Sequence, residues 1–77
     1  MIKVGQIYEL PISKGRVIVT KVENNKKDKR YDFIYFIDNN GLQECLWRKS
    51  VEETLKFITE YPTWIEAVNS KEFNNAS

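Results

Sequence analysis

Histidine is absent from this sequence of 77 residues, and cysteine occurs only once, at Cys45. Without histidine the chain lacks the usual general base of neutral pH and cannot build zinc sites of the Cys/His kind. A single cysteine excludes a disulfide within the chain, which is typical of a reducing cytoplasm. No apolar run approaches the roughly 20 residues of a membrane span, and no secretory signal is evident, so we expect a cytoplasmic protein.

What the sequence does contain is a large share of aromatic side chains in a short chain. A chain of this length forms at most one domain and buries only roughly 60% of the surface that its unfolded form exposes. There are two Trp, four Tyr and four Phe residues, each bringing on the order of 150 to 250 Å² into a core or an interface. We therefore expect some of these rings to remain at the surface.

The net charge of +1 is unevenly divided along the chain. Residues 1–49 hold ten Lys or Arg against six Asp or Glu, which gives +4, whereas residues 50–77 hold two against five, which gives −3. This asymmetry is compatible with a basic surface that meets a polyanion. It is also what two mutually attracting halves of one small domain would show.

Residues 31–48 have the pattern of a complete antiparallel hairpin. Side chains along the first strand alternate between its two faces. One face carries Tyr31, Phe33, Tyr35 and Ile37, and the other carries Asp32, Ile34, Phe36 and Asp38. Asn40 and Gly41 supply the turn, because both tolerate the positive φ of a type I′ turn. A longer loop that contains these two residues is the alternative. Upstream, residues 3–10 predict a strand broken near Gly5, and the β-branched run at residues 16–23 predicts another.

The pattern becomes helical after residue 49. Capping boxes at residues 50–53 and 63–66 predict two helix starts, and Pro62 ends the first helix. The predicted inward faces are Val51, Leu55 and Ile58 in the first helix, and Trp64, Ile65 and Val68 in the second. Residues 71–77 are predicted to be a frayed terminus, with Phe73 as its last anchor.

Two segments resemble a known class of proteins. Residues 4–9 (Val-Gly-Gln-Ile-Tyr-Glu) and 15–19 (Gly-Arg-Val-Ile-Val), followed by an aromatic strand, a glycine turn and a strand ending at Trp47, look like small SH3-like barrel proteins of unknown role from bacteria and phages. The resemblance covers about residues 3–48 and implies a barrel used for binding. The helical tail departs from a minimal barrel.

These features predict an α+β fold in a single domain, residues 1–77. A four-stranded antiparallel meander would curl into a small SH3-like barrel, since its third strand is apolar on both faces, and two short C-terminal helices would follow. The β part would span residues 1–49, the helical tail residues 50–70, and the frayed terminus residues 71–77.

Catalysis is not expected, and neither is a metal or another cofactor. Cys45 lies in a predicted strand with no partner to lower its pKa, so we expect a small buried hydrophobe there. Toxin endoribonucleases of the small-barrel kind also begin with a strand like residues 5–8. They are longer, however, and their basic and catalytic motifs are not evident in this chain.

The leading functional expectation is a non-enzymatic protein-protein interaction module. Its predicted binding residues are amphipathic rings of the type enriched in interface hot spots: Tyr8, Trp47, Tyr61 and Trp64. The resemblance adds the hypothesis of a phage or mobile-element inhibitor of a host defence or regulatory protein. No membrane partner is expected, and an exposed edge strand would also let two copies form a homodimer.

The alternative function is binding of single-stranded nucleic acid or RNA. Basic side chains of a loop would neutralise phosphates while rings of the adjoining strand stack on bases. The residues predicted for this role are Lys26, Lys27, Lys29, Arg30, Tyr31 and Tyr35.

Overall fold

The computed structural model describes residues 1–74, in which five strands form one antiparallel sheet. The elements in chain order are β1 (Gln6–Glu9), β2 (Arg16–Glu23), a 3₁₀ turn (Lys29–Tyr31), β3 (Phe33–Asp38), β4 (Gln43–Trp47), α1 (Arg48–Thr54), β5 (Lys56–Glu60), α2 (Trp64–Val68) and α3 (Lys71–Asn74). The strand order is β4-β3-β2-β1-β5. The predicted α+β class is confirmed, and β2 has the predicted bounds.

The fifth strand corrects the sequence prediction. Residues 56–60 were expected to continue the helix that starts near Ser50, but that prediction is wrong beyond Thr54. Phe57, Ile58 and Thr59 are aromatic or β-branched, and the strand that they form pairs with β1. Because β4 and β5 stand at opposite ends of the strand order, the sheet is open and does not close into a barrel.

The two predicted capping boxes have different outcomes. Helix α1 begins at Arg48, two residues before Ser50, and its N-cap residue Trp47 makes no side-chain capping bond. The prediction that a capping box at Ser50 starts this helix is therefore wrong. At α2 the Thr63 hydroxyl oxygen accepts from the backbone N–H of Glu66 at 3.2 Å, as the second box predicts.

The hairpin of β3 and β4 is confirmed, and its loop is longer than two residues. The backbone N–H of Asp38 donates to the Leu42 carbonyl at 3.0 Å, which leaves three residues in the loop. The carbonyl of Asp38 accepts from Gly41 at 3.1 Å. In this loop only Gly41 has a positive φ, +79°, so the connection ends in a left-handed glycine and is not a type I′ turn.

Apolar side chains cover both faces of the sheet. What we call the inner face carries the larger cluster, in which Tyr8, Val17, Val19, Ile34 and Phe36 pack with Ile2 and Val51. The opposite, outer face carries Ile7 and Ile18, which pack with Ala67 and Phe73 from the C-terminal helices. The sheet is thus the middle layer, with α1 and the N-terminal residues on one side and α2 and α3 on the other.

The C-terminal helices cover only part of the outer face. Phe73 is 4% exposed, as its predicted anchoring role requires, and its carbonyl accepts from Asn39 Nδ2 at 2.8 Å. Helix α3 therefore sits over the turn end of the β3–β4 hairpin. Trp64 and Ile65 were expected to face inward but are exposed. Residues 75–77 of the predicted frayed terminus lie outside the described residues.

Candidate functional site

Three exposed rings meet on the uncovered part of the outer face. Tyr31, Phe33 and Trp47 are 36%, 41% and 47% exposed. The ring centroids of Tyr31 and Trp47 lie 5.1 Å apart at 82°, and those of Phe33 and Trp47 lie 6.5 Å apart at 33°. Phe33 and Trp47 are cross-strand partners in the hairpin. We call these three residues the ring cluster.

A buried ion pair fixes the backbone beneath the ring cluster. The Arg48 Nε–H donates to Asp32 Oδ2 at 3.0 Å, and the Arg48 backbone N–H donates to the Asp32 carbonyl at 2.8 Å. The side chains of Arg48 and Asp32 are 14% and 2% exposed. Since Asp32 lies between Tyr31 and Phe33, and Arg48 follows Trp47, the pair holds the three rings in register.

Asp32 also ties down the preceding loop. Its Oδ1 accepts from the backbone N–H of Asn25 at 2.6 Å. This bond is the main reason that the pKa of Asp32 lies below its ordinary value, and Arg48 lowers the pKa further against the opposing effect of burial. The carboxylate is therefore charged at neutral pH and joins three parts of the chain.

The loop over residues 26–30 leads directly into Tyr31 and carries four basic side chains, of which Arg30 contacts the ring cluster. Arg30 stacks over the Tyr31 ring, with its guanidinium carbon 5.6 Å from the ring centroid. It also pairs with Asp28 at 2.6 Å, and this hydrogen bond lowers the pKa of Asp28. Within residues 1–74 no ion pair forms at Lys26, Lys27 or Lys29, so their charges are directed to solvent. We call residues 26–30 the basic loop.

Tyr35 lies on the same face but is held by its neighbours. Its hydroxyl donates to Glu23 Oε1 at 3.2 Å, and the Lys21 Nζ lies 5.3 Å from the centroid of its ring. Burial, with Glu23 adding to it, raises the pKa of Tyr35. The Tyr35 ring is therefore fixed on the outer face, two residues along β3 from Phe33.

The structure does not bring the four rings predicted for protein binding together on one surface. Of the four rings predicted for protein binding, Trp47 is in the ring cluster and Trp64 is exposed on α2. Tyr8 is only 7% exposed, and its hydroxyl donates to Gln6 Oε1 at 2.8 Å in the core. The half-buried Tyr61 donates its hydroxyl to Glu72, which raises the pKa of Tyr61.

The residues predicted for nucleic acid are divided among the ring cluster, the basic loop and β3. Tyr31 belongs to the ring cluster, Lys26, Lys27, Lys29 and Arg30 form the basic loop, and Tyr35 lies two residues from Phe33. Phe33 belongs to neither predicted set, although the sequence pattern places it on the same strand face as Tyr31 and Tyr35. Its alternation with the buried Ile34 was the available signal, but the partner strand had to be in register before Phe33 and Trp47 could be placed together.

A cavity of about 380 Å³ lies on the other side of the Asp32–Arg48 pair. Its lining includes Ile2, Val22, Lys29, Asp32, Arg48 and Glu52. The lining joins an apolar floor to charges of both signs, and one of its carboxylates already pairs with Arg48. The cavity therefore does not present a surface of one charge sign.

Residues 1–74 contain no group of three or more His, Cys, Asp or Glu side chains placed to hold a metal ion. None of the helices in that part of the chain has the length and apolar character needed to span a membrane. The sequence matches no protein family model and no curated protein, and the fold matches no solved structure.

Proposed function

We propose that this protein is a non-enzymatic binding module that takes up a partner protein on the ring cluster. The observation that carries the proposal is the meeting of Tyr31, Phe33 and Trp47 at an uncovered part of the sheet. Trp, Tyr and Arg are the residues most enriched in interface hot spots, and Arg30 stacks directly on this cluster. Rigid strands and the Asp32–Arg48 pair preorganise the rings, which lowers the entropic cost of binding.

The charge around the ring cluster indicates the chemistry of the partner. The basic loop contributes four positive charges against the single carboxylate of Asp28. An acidic segment with apolar side chains would complement both features, with its apolar groups on the rings and its carboxylates near Lys26, Lys27 and Lys29. A partner of this type should associate faster at low salt.

A peptide display library screened on the immobilised protein tests this proposal. We expect enrichment of acidic peptides with apolar residues, and for these peptides Trp47→Ala should weaken affinity at least about tenfold, as loss of a hot spot does. The matched control is Trp64→Ala, which removes another exposed tryptophan outside the ring cluster. Peptides that bind wild type and Trp47→Ala equally well would contradict the proposed surface.

Single-stranded nucleic acid is the second candidate, favoured by the three lysines of the basic loop that form no ion pair within the described residues. Fluorescence anisotropy with labelled single-stranded RNA and DNA tests it over a range of salt concentrations. If this candidate is right, replacing Lys26, Lys27 and Lys29 with Ala weakens binding and flattens its salt dependence. Unchanged affinity in that variant would exclude it.

The finer description of the fold that we propose is an SH3-like curl of the open five-stranded sheet, without closure into a barrel. It is supported by register shifts between Ile7 and Tyr8 and between Val19 and Lys21, since such bulges bend strands. The Tyr8 ring also makes edge contacts with Phe36 of β3 and Phe57 of β5. The role of a phage or mobile-element inhibitor stays a prediction that rests on the sequence resemblance.

A further inference from the structure

Strand β4 leaves one edge of the sheet open. It stands at the end of the strand order, and within residues 1–74 it pairs only with β3. Hydrogen bonds at both ends of the hairpin show that the Leu42 carbonyl points toward Asp38 and the Arg48 N–H toward Asp32, which means toward the β3 side. Because the pattern alternates along an antiparallel strand, the N–H and C=O groups of Gln43, Cys45 and Trp47 point away from the sheet.

This edge has few of the devices that protect edge strands from pairing. Gln43–Trp47 contains no proline and no lysine, and its pairing with β3 has no register shift. Its side chains are exposed except for Leu46. At the opposite end of the sheet, β5 carries Lys56 and pairs with β1 through a register shift. Of the two edges, β4 is therefore the one suited to accept another strand.

We propose that two copies of the chain pair antiparallel through β4, with Cys45 opposite Cys45 of the second copy. The two sheets then become one continuous sheet with a twofold axis at Cys45. In this register Gln43 lies opposite Trp47 of the second copy, and all three outward-pointing residues of each strand are hydrogen-bonded. Glu44 lies opposite Leu46, so no like charges are directly opposed.

Neighbouring symmetric registers are less favourable. Centring the pair on Glu44 would place two carboxylates directly opposite each other, which is destabilising. Centring it on Leu46 would leave the backbone groups of Gln43 without partners in the second strand. Only the register centred on Cys45 gives the outward-pointing backbone groups of Gln43, Cys45 and Trp47 hydrogen-bonding partners in both copies.

The dimer goes beyond the proposed function, because it arranges two binding surfaces together. Directly opposed residues share a face of the sheet, so both ring clusters lie on the outer face. The two Trp47 positions are four residues apart along the strand direction, or about 13 Å at the rise of a β-strand. A partner with two suitable segments would engage both clusters and gain avidity.

A charge-swap experiment tests the pairing. Under reducing conditions the wild type should show twice the 9.1 kDa mass of one chain at high micromolar concentration, measured by sedimentation equilibrium. Cys45→Lys and Cys45→Glu each place like charges opposite one another at an exposed position, so each alone should be monomeric. Mixed in equal amounts, they should form a heterodimer. Cys45→Ser keeps the backbone groups and should remain a dimer.

A disulfide test reports on the register. Directly paired residues have Cα atoms about 5.5 Å apart, within the range that a disulfide bridges. Oxidised glutathione should therefore convert two Cys45 thiols to one intermolecular disulfide, releasing two molecules of reduced glutathione. In the register centred on Leu46, Cys45 would face Trp47, and this bond would not form.

Three results would overturn the dimer. They are a monomeric wild type up to millimolar concentration, failure of the Lys and Glu variants to associate when mixed, and absence of the disulfide-linked dimer. None of these bears on the proposed function, because Trp47→Ala tests the ring cluster with peptides whether or not the chain dimerises. Circular dichroism of each variant shows that it is folded before its mass is interpreted.

Discussion

At the scale of single residues, Asp32 connects three separate parts of the chain. It accepts hydrogen bonds from Asn25 and from Arg48, and it lies between two rings of the cluster. Its pKa is lowered in the folded state, so the folded protein binds this proton less readily than the unfolded chain does. The stabilisation is therefore complete above the ordinary Asp pKa and is lost as the pH falls through the folded pKa.

Asp32→Asn should lower the free energy of unfolding at neutral pH and reduce the further loss on acidification below about pH 4. Part of the acid sensitivity should remain, because hydrogen bonds from Gln6 and Lys3 also lower the pKa of Glu60. Urea unfolding at pH 7, 5 and 3 measures both effects. Glu44→Gln on the exposed edge is the control, and an unchanged pH profile in Asp32→Asn would contradict the role of this carboxylate.

Two glycines with positive φ provide a matched pair. At Gly5, φ is +96°, its N–H donates to Val19 at 2.9 Å, and a Cβ would collide with the Tyr61 carbonyl oxygen. At Gly41, φ is +79° and a Cβ would meet nothing within 4 Å. Gly41→Ala should cost only the left-handed strain, about 1–2 kcal/mol. Gly5→Ala should cost about 3 kcal/mol or more, because the backbone must also move.

Denaturant unfolding of the two glycine variants provides the comparison. The same loss of stability in both would show that backbone strain alone matters and that the contact between Gly5 and Tyr61 adds nothing. The slope of the unfolding transition should match that of the wild type, since neither change alters the surface that unfolding exposes.

At the scale of elements, the sequence predicts a strand or a helix start correctly where residues close in sequence determine it. The β-branched run of β2 and the cap at Thr63 depend on residues within a few positions, and both are confirmed. Strand β5 was missed because Leu55 and Ile58 also fit helical spacing. Its partner, β1, lies about fifty residues earlier in the chain, and no local pattern reports that pairing.

The length of the hairpin loop explains two further differences. With a two-residue loop, Trp47 would lie opposite Ile34 and Cys45 opposite Phe36, both on the inner face. The three-residue loop shifts the register by one, so Trp47 faces Phe33 and Cys45 faces Tyr35 on the outer face. Cys45 was predicted to be buried but is exposed. Both its exposure and the formation of the ring cluster therefore follow from the one additional residue in the loop.

Helix α3 contributes to the core although the sequence predicted fraying from residue 71 onward. Phe73 is buried against Ile7 and Ile18, so Phe73→Ala should lower the free energy of unfolding by about 3 kcal/mol. Ile65→Ala removes an exposed side chain of α2 and should change stability by less than about 0.5 kcal/mol. Thermal and urea unfolding measure both. Equal effects of the two changes would show that α3 does not cover the sheet.

At the scale of the whole molecule, the opposite charges of the two halves have a structural counterpart. Lys3 pairs with Glu60 at 3.1 Å, and Arg16 donates to the Glu72 carbonyl at 2.8 Å. These contacts attach the acidic half to the N-terminal strands. The basic loop lies elsewhere and keeps three of its lysines without ion pairs in the described chain, so part of the positive charge remains available to a partner.

Because β5 and the C-terminal helices pack on the N-terminal strands, we expect that the N-terminal β part does not fold by itself. A fragment of residues 1–55 would lack β5, which pairs with β1, and the helices that cover Ile7 and Ile18. A strand without its partner and an uncovered apolar face cannot offset the conformational entropy of a chain this short. We expect narrow amide dispersion in the ¹H–¹⁵N spectrum of the fragment and wide dispersion in that of the full chain. A well-dispersed fragment spectrum would instead show that β2, β3 and β4 hold the sheet together without the C-terminal elements.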